Sequence, residues 1–299
     1  MHWKSIVPLL LLSAGLPLAG IAQQTTPPLT AKLSVEGPEV RGSLETYTLA
    51  SDYLEAPAKL YVLLPDNFDR TRRYPVLYVL PVNKAPSASG ITEARKLGLA
   101  NQYGVICVGP DFPRTPWYGD GTTNPAVRYA SYVPDVVVPF IDRTYPTLTN
   151  AAGRTLIGFS KSGIGALTLL LQRPEMFGRA GAWDSPLMLG REQADHFYGS
   201  PERFLGYYGT ETNFLARFHL PTLWRQRAEL LRAQPARIVI GGYDHFAEDT
   251  AAADRLLTTM GIPHVCDNQT QRPHDWSSGW MASMVETLFA VDMTQPARK

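Results

Sequence analysis

The chain has 299 residues, 44% of them hydrophobic and 18% charged, enough apolar material for one sizeable core. Lys and Arg number 28 against 27 Asp and Glu, a formal charge of +1. With no long basic or acidic run, nucleic acid and anionic membrane surfaces are poor partners for it.

Lys4 is followed by an apolar stretch from Ile6 to Leu18 and then by Gly20-Ile21-Ala22, small residues at the positions a signal peptidase reads. Pro8, Gly15 and Pro17 interrupt the stretch, which is shorter than the ~20 residues that span a bilayer. Residues 1–22 are therefore read as a leader cleaved after Ala22, and the mature chain is expected to be secreted or periplasmic. No Cys near the cleavage site offers a lipid attachment point, and no later apolar run is long enough to span a membrane. Residues 23–32, with Gln23, Gln24, Pro27 and Pro28, are too polar and Pro-rich to order themselves and read as a tether. The remainder, 33–299, reads as one catalytic domain.

Glu45 to Ala50 and Lys59 to Leu64 are rich in Thr, Tyr, Val and Leu, which predicts antiparallel strands; Pro65-Asp66-Asn67 ends the second. Pro75 to Leu80 is short and continuously apolar, the pattern of a central strand covered on both faces. A helical segment around Thr92 to Ala100 leads to a similar run, Val105 to Val108. Asp111 to Asn124, full of Pro, Gly and aromatic residues, predicts a long loop over one end of a sheet. After the amphipathic stretch Tyr132 to Tyr145 come a strand, Thr155 to Gly158, a Gly-rich turn, and the helix Gly165 to Gln172 before Pro174. Arg179 to Trp183, Arg237 to Gly241, Thr250 to Met260, Pro263 to Asp267 and Ser283 to Val291 continue the alternation. The pattern predicts an α/β fold whose central sheet is mostly parallel, with helices on both faces. Cys107 and Cys266 fall in separate apolar runs and read as free thiols. Neither has a partner at metal-ligand spacing, so no metal is expected.

The stretch Leu156-Ile157-Gly158-Phe159-Ser160-Lys161-Ser162-Gly163 is a buried strand turning sharply into a helix with Ser at the apex. Such a turn needs small neighbours, because the nucleophile is held in a strained conformation. The usual G-x-S-x-G has Gly where this chain has Ser162. A serine hydroxyl is a weak nucleophile without a base and an acid behind it. Asp244, in the loop after Arg237 to Gly241, and His274, in the loop after the last strand, follow in the Ser, Asp, His order of nucleophile-elbow enzymes. His245 is a rival for the His role, but its position next to Asp244 makes it hard for that acid to orient. Asp184, just after the strand ending at Trp183, is a rival acid.

From roughly Ser43 to Val291 the chain resembles the esterase D and enterochelin-esterase-like branch of α/β hydrolases, which includes feruloyl and acetylxylan esterases. The resemblance rests on Tyr74 to Leu80, Trp117-Tyr118, Pro139-Phe-Ile-Asp142 with Tyr145-Pro146, Gly158 to Gly163, Arg173-Pro-Glu-Met-Phe177, Gly241 to Asp244, and His274-Asp-Trp276 with Trp280. It implies the α/β-hydrolase fold and a serine esterase without cofactor, with Ser160 as nucleophile, Asp244 as acid and His274 as base. The expected substrate is a small-molecule or oligosaccharide ester, such as an acylated sugar or a siderophore-like ester. The backbone N–H groups of Lys161 and Asn83 are the expected oxyanion donors, and Trp117, Tyr118, Asp184 and Trp276 the expected substrate contacts. Further aromatic residues, Trp183, His196, Phe197, Tyr198, Tyr207 and Tyr208, fall in segments expected to roof the site. The chain departs from the family at Pro81-Val82, where His-Gly is usual; Pro81 has no N–H to give. Lys161 is also unusual, at a position that is normally uncharged. The alternative function is a non-catalytic relative that binds a carbohydrate or ester ligand in the same pocket.

Mature protein from the native host should begin at or near Gln23. N-terminal sequencing that finds Met1 on the soluble protein would rule out the leader.

Overall fold

The computed structural model describes residues 31–122 and 124–291, together with Leu29. The expected leader and most of the expected tether lie outside the described residues. Among those described, nine strands form one sheet in the order β1-β2-β3-β5-β4-β6-β7-β8-β9. β1 (Leu33–Arg41), β2 (Leu44–Ser51) and β3 (Ala58–Leu63) form an antiparallel meander, and β3 runs antiparallel to β5 (Ile106–Pro110). β4 (Val76–Leu80), β5, β6 (Arg154–Phe159), β7 (Arg179–Trp183), β8 (Ile238–Gly241) and β9 (His264–Asp267) are mutually parallel.

The apolar runs become central strands because both faces are covered. Every residue of β4, β5, β6 and β7 is buried. Side chains alternate between two cores: in β4, Val76, Tyr78 and Leu80 face the larger one, while Leu77 and Val79 face the smaller. The smaller core is closed by α1 (Ser89–Lys96), α2 (Leu99–Tyr103) and the C-terminal helix Trp280–Ala290. Between β5 and β6, α3 (Tyr129–Tyr132) and α4 (Val138–Thr144) are joined through a π-helical turn, Val133–Val137. They lie on the larger core with α5 (Lys161–Gln172), which is buried almost all round.

Four helices fill the connection from β7 to β8: α6 (Ala194–Tyr198), α7 (Pro201–Tyr208), α8 (Glu211–Arg217) and α9 (Leu220–Arg232). In sequence this stretch announces only its aromatic residues up to Tyr208, not four helices. α10 (Ala247–Thr259) connects β8 to β9, and α11 is the terminal helix Trp280–Ala290. β1 was also not foreseen. Its residues after Leu33 are all exposed and Gly37-Pro38 breaks the alternation, so no apolar face marks it as a strand. Cys107 lies in β5 and Cys266 in β9, both as free thiols.

One buried ion pair fixes the start of β6. Arg154 and Asp142 meet at 2.6 Å with side-chain exposures of 2% and 0%, and the Thr147 hydroxyl donates to the second Asp142 oxygen at 2.7 Å. Removing one partner of such a pair leaves a buried charge without compensation. Asp142→Ala should therefore lower the unfolding free energy by about 3–5 kcal/mol. A denaturant titration with an unchanged midpoint would contradict this account of the pair.

Candidate active site

The parallel register brings the site together. Leu80 pairs with Gly158, Phe159 with Trp183, Trp183 with Gly241, and Gly241 with Asp267. The segments leaving β4, β6, β7, β8 and β9 therefore emerge along one edge of the sheet, where open α/β sheets carry their sites. Pro81 to Asn83, Ser160, Asp184, Asp244 with His245, and His274 all lie on these segments.

Ser160 links β6 to α5 with φ 52° and ψ −129°. A non-glycine residue held there carries about 1–3 kcal/mol of strain, and neighbouring groups hold it in place. The Ser160 N–H donates to the Trp183 carbonyl at 2.9 Å, and the Ser160 carbonyl accepts from the Ser185 hydroxyl at 2.6 Å and from the Gly163 N–H at 3.0 Å. The turn is so tight that a Cβ on Gly158 would lie 2.0 Å from the Ser162 carbonyl oxygen. Ser162 fits where glycine is usual because its hydroxyl bonds back to Phe159, donating to the carbonyl at 2.8 Å and accepting from the N–H at 2.9 Å.

The carboxylate that meets His274 is not the one expected. His274 Nδ1 lies 2.5 Å from Oδ2 of Asp184. Asp244 instead accepts the backbone N–H of His274 at 2.9 Å, so it shapes the loop and does not orient the ring. The reason lies in the register: Asp184 directly follows Trp183, the partner of Phe159, whereas Asp244 sits three residues beyond Gly241 on the next strand. Asp184 is fully buried with φ 39°, and it accepts the backbone N–H groups of Phe246 at 2.9 Å and His245 at 3.2 Å. Burial pushes its carboxyl up, but the His274 hydrogen bond and these two N–H groups outweigh burial and hold it below the ordinary Asp value.

The His274 ring packs on Phe159, the residue before Ser160, with centroids 4.4 Å apart. Among the described residues no hydrogen bond joins Ser160 Oγ to His274. The His245 ring lies 4.5 Å from that of His274, and its Nδ1 makes only a loose, exposed contact with Asp244 at 3.4 Å. Asp184, His245 and His274 bring one possible ligand atom each within 4.8 Å of one another. Nδ1 of His274 and Oδ2 of Asp184 already share a hydrogen bond that a metal would have to break, which favours a hydrogen-bonded pair over a metal centre.

A cavity of about 750 Å³ adjoins Lys161, lined by Trp117, Phe197, Tyr198 and Tyr207 among others, a size suited to a small-molecule ligand. Trp117, expected as a substrate contact, lines this cavity. Tyr118 is not a substrate contact: it is 1% exposed, its hydroxyl donates to the Pro81 carbonyl at 2.7 Å, and its ring covers Gly165. It braces the loop after β4, where Asn83 is exposed. Trp276 does not line the cavity either, because its ring packs against Phe159 at 5.2 Å and Trp280 at 5.5 Å. Asp184 leaves the pocket-lining role for the one beneath His274. Trp183 is buried in the smaller core, Tyr208 is buried within the lid, and His196 is exposed. The lid is tied to the 111–124 loop, for the Tyr208 hydroxyl donates to the Trp117 carbonyl at 2.9 Å and Tyr198 packs on Trp117 at 4.3 Å.

Residues 51–288 match the profile of the family described as "Putative esterase". No curated protein sequence matches the chain. Among solved structures, an S-formylglutathione hydrolase from Agrobacterium tumefaciens is similar at TM-score 0.67 and 17% identity, covering 85% of this chain and 98% of its own. A fluorophosphonate-binding serine hydrolase of Staphylococcus aureus gives 0.68 at 13% identity, with 85% and 98% covered. A ferulic acid esterase from the anaerobic fungus Anaeromyces mucronatus gives 0.58 at 17% identity, with 86% and 97% covered. At these identities the structural likeness establishes the α/β-hydrolase fold, and the profile match establishes the family. The chain belongs to this esterase family and is a carboxylic ester hydrolase.

Proposed function

We propose that the enzyme cleaves its ester through an acyl-enzyme, with Ser160 as nucleophile, His274 as base and Asp184 as acid. The observation that carries this reading is the 2.5 Å contact of His274 Nδ1 with buried Asp184, on a ring packed against Phe159. An ionised carboxylate can only accept, so Nδ1 carries the proton and Nε2 is left as the basic nitrogen. Ser160 Oγ attacks the carbonyl carbon as its proton passes to Nε2. The imidazolium, held by Asp184, then protonates the departing alcohol, and water repeats the sequence to release the acid. On this route the hydrogen bond from Ser160 to His274 forms when substrate arrives.

The Lys161 N–H opens α5 and has no acceptor within the helix, which fits it for the oxyanion. The Asn83 N–H is the proposed second donor. Pro81 contributes its carbonyl to Tyr118 instead, so the loop is anchored without an N–H from that residue. The aromatic cavity lined by Lys161, the residue after Ser160, supports an acyl group or sugar ring as the bound portion. Export to the periplasm or the medium remains part of this proposal.

A fluorophosphonate probe should label the purified chain at Ser160, and Ser160→Ala should abolish both labelling and hydrolysis of short aryl esters while circular dichroism is unchanged. Labelling that persists in that variant would remove Ser160 from the chemistry. Asp184→Asn leaves the imidazole in the wrong tautomer and should lower kcat by as much as ~10⁴. Asp244→Asn, which touches only the backbone of His274, should lower it by about tenfold or less. The reverse ranking, measured on one ester, would return the acid's role to Asp244.

A further inference from the structure

The wall of the cavity that Lys161 lines carries Lys84, Arg114, Lys161 and Arg203 against a single carboxylate among the described residues, Glu202. Arg114 is paired with Glu55 at 2.7 Å, and Glu202 stands exposed in the first turn of α7. Lys84, Lys161 and Arg203 remain, and none of them forms an ion pair with a described residue. Lys84 and Arg203 are exposed, so solvent screens them.

Lys161 is different. It is half-buried, it follows Ser160 directly, and its Nζ lies 5.6 Å from the centre of the Trp117 ring. Burial pushes its ammonium below the ordinary lysine value. It is also the first residue of α5, the end of a helix where the macrodipole favours anions and opposes cations. The Trp117 face offsets part of this through a cation–π contact, but no carboxylate among the described residues completes it. The protein thus holds a partly desolvated positive charge, in an already positive field, on the wall of a cavity. A charge held this way is unfavourable in the empty site and becomes favourable when an anion joins it.

We infer, on the basis of the esterase mechanism proposed above, that the enzyme selects esters carrying an anionic group, a carboxylate being the simplest, on the portion held against Lys161 and Trp117. Tyr198 and Tyr207 supply apolar surface for the rest of that portion. Lys161 is then a specificity-determining residue whose side chain reads the substrate's charge while its N–H serves the oxyanion.

The test compares two matched pairs of esters. 4-Nitrophenyl hemisuccinate against 4-nitrophenyl butyrate places the charge on the acyl side, and 4-butyryloxybenzoate against phenyl butyrate places it on the leaving side. In one pair the wild type should favour the anionic ester in kcat/KM by about tenfold beyond its intrinsic reactivity, as expected for one partly screened ion pair. Lys161→Met should bring that preference close to one, Lys161→Arg should retain most of it, and 1 M KCl should reduce it. Equal slowing of charged and neutral esters in Lys161→Met would assign the ammonium to the transition state of every ester and overturn the inference. So would a wild type without charge preference in either pair. If no ester is cleaved and Ser160 resists the fluorophosphonate, the esterase mechanism itself fails. Calorimetry then decides the anion site, which requires binding of monomethyl succinate, weakened by Lys161→Met, and much weaker binding of methyl butyrate. Equal binding of the two overturns it.

Discussion

The carboxylate of Asp184 is the junction on which the site depends. A buried charge is tolerated only when its hydrogen-bonding capacity is filled, and here the donors come from two other segments. Phe246 and His245 give backbone N–H groups from the loop after β8, and His274 gives its ring from the loop after β9. The same charge that holds the imidazole therefore folds two loops around itself. Because its folded pKa lies below the ordinary carboxylate value, the stability it contributes is present above the unfolded Asp pKa and is lost as pH falls through the depressed value.

A second constraint is the closeness of β6 to the first turn of α5. Ser160 must project its hydroxyl from a strained backbone, and Gly158 gives way because no Cβ fits beneath Ser162. Around this apex the hydrogen bonds converge from β7 and the segment after it: the Trp183 carbonyl receives the Ser160 N–H, and the Ser185 hydroxyl reaches the Ser160 carbonyl. Trp183, Asp184 and Ser185 thus brace the elbow and hold the His274 ring through consecutive residues. This economy is possible because β7 is the immediate neighbour of β6.

That neighbour relation also explains what could and could not be read from sequence. Continuous apolar runs identify β4 to β7 because strands buried on both faces have no other pattern. The elbow declares itself by the small residues that its geometry demands, and His274 by its place after the last strand. The two candidate acids are chemically equivalent in sequence, since each follows a strand and lies in a plausible loop. What separates them is pairing register, a non-local property: the residue after Trp183 stands beside the residue after Phe159, while Asp244 needs three more residues to leave β8. Proximity of Asp184 to its strand end was the one local signal. β1 went unread because it is an exposed edge with no buried face, and Tyr118 was misread because an aromatic residue in an active-site loop can as well brace that loop as line it.

Charge is distributed unevenly around Ser160, and the arrangement bears on both chemistry and selectivity. Behind the imidazole stands a saturated carboxylate, which in the proposed mechanism stabilises the imidazolium formed as the proton leaves Ser160. On the following residue, the N–H that opens α5 and the half-buried ammonium of Lys161 make the field positive. In that mechanism, proton movement toward His274 and negative charge growing on the carbonyl oxygen both run with this field, in a region where partial burial weakens screening. The first of these charges is matched inside the protein by three donors. The second has no carboxylate partner among the described residues, and a cation left unmatched on the wall of a cavity has its natural complement in what enters.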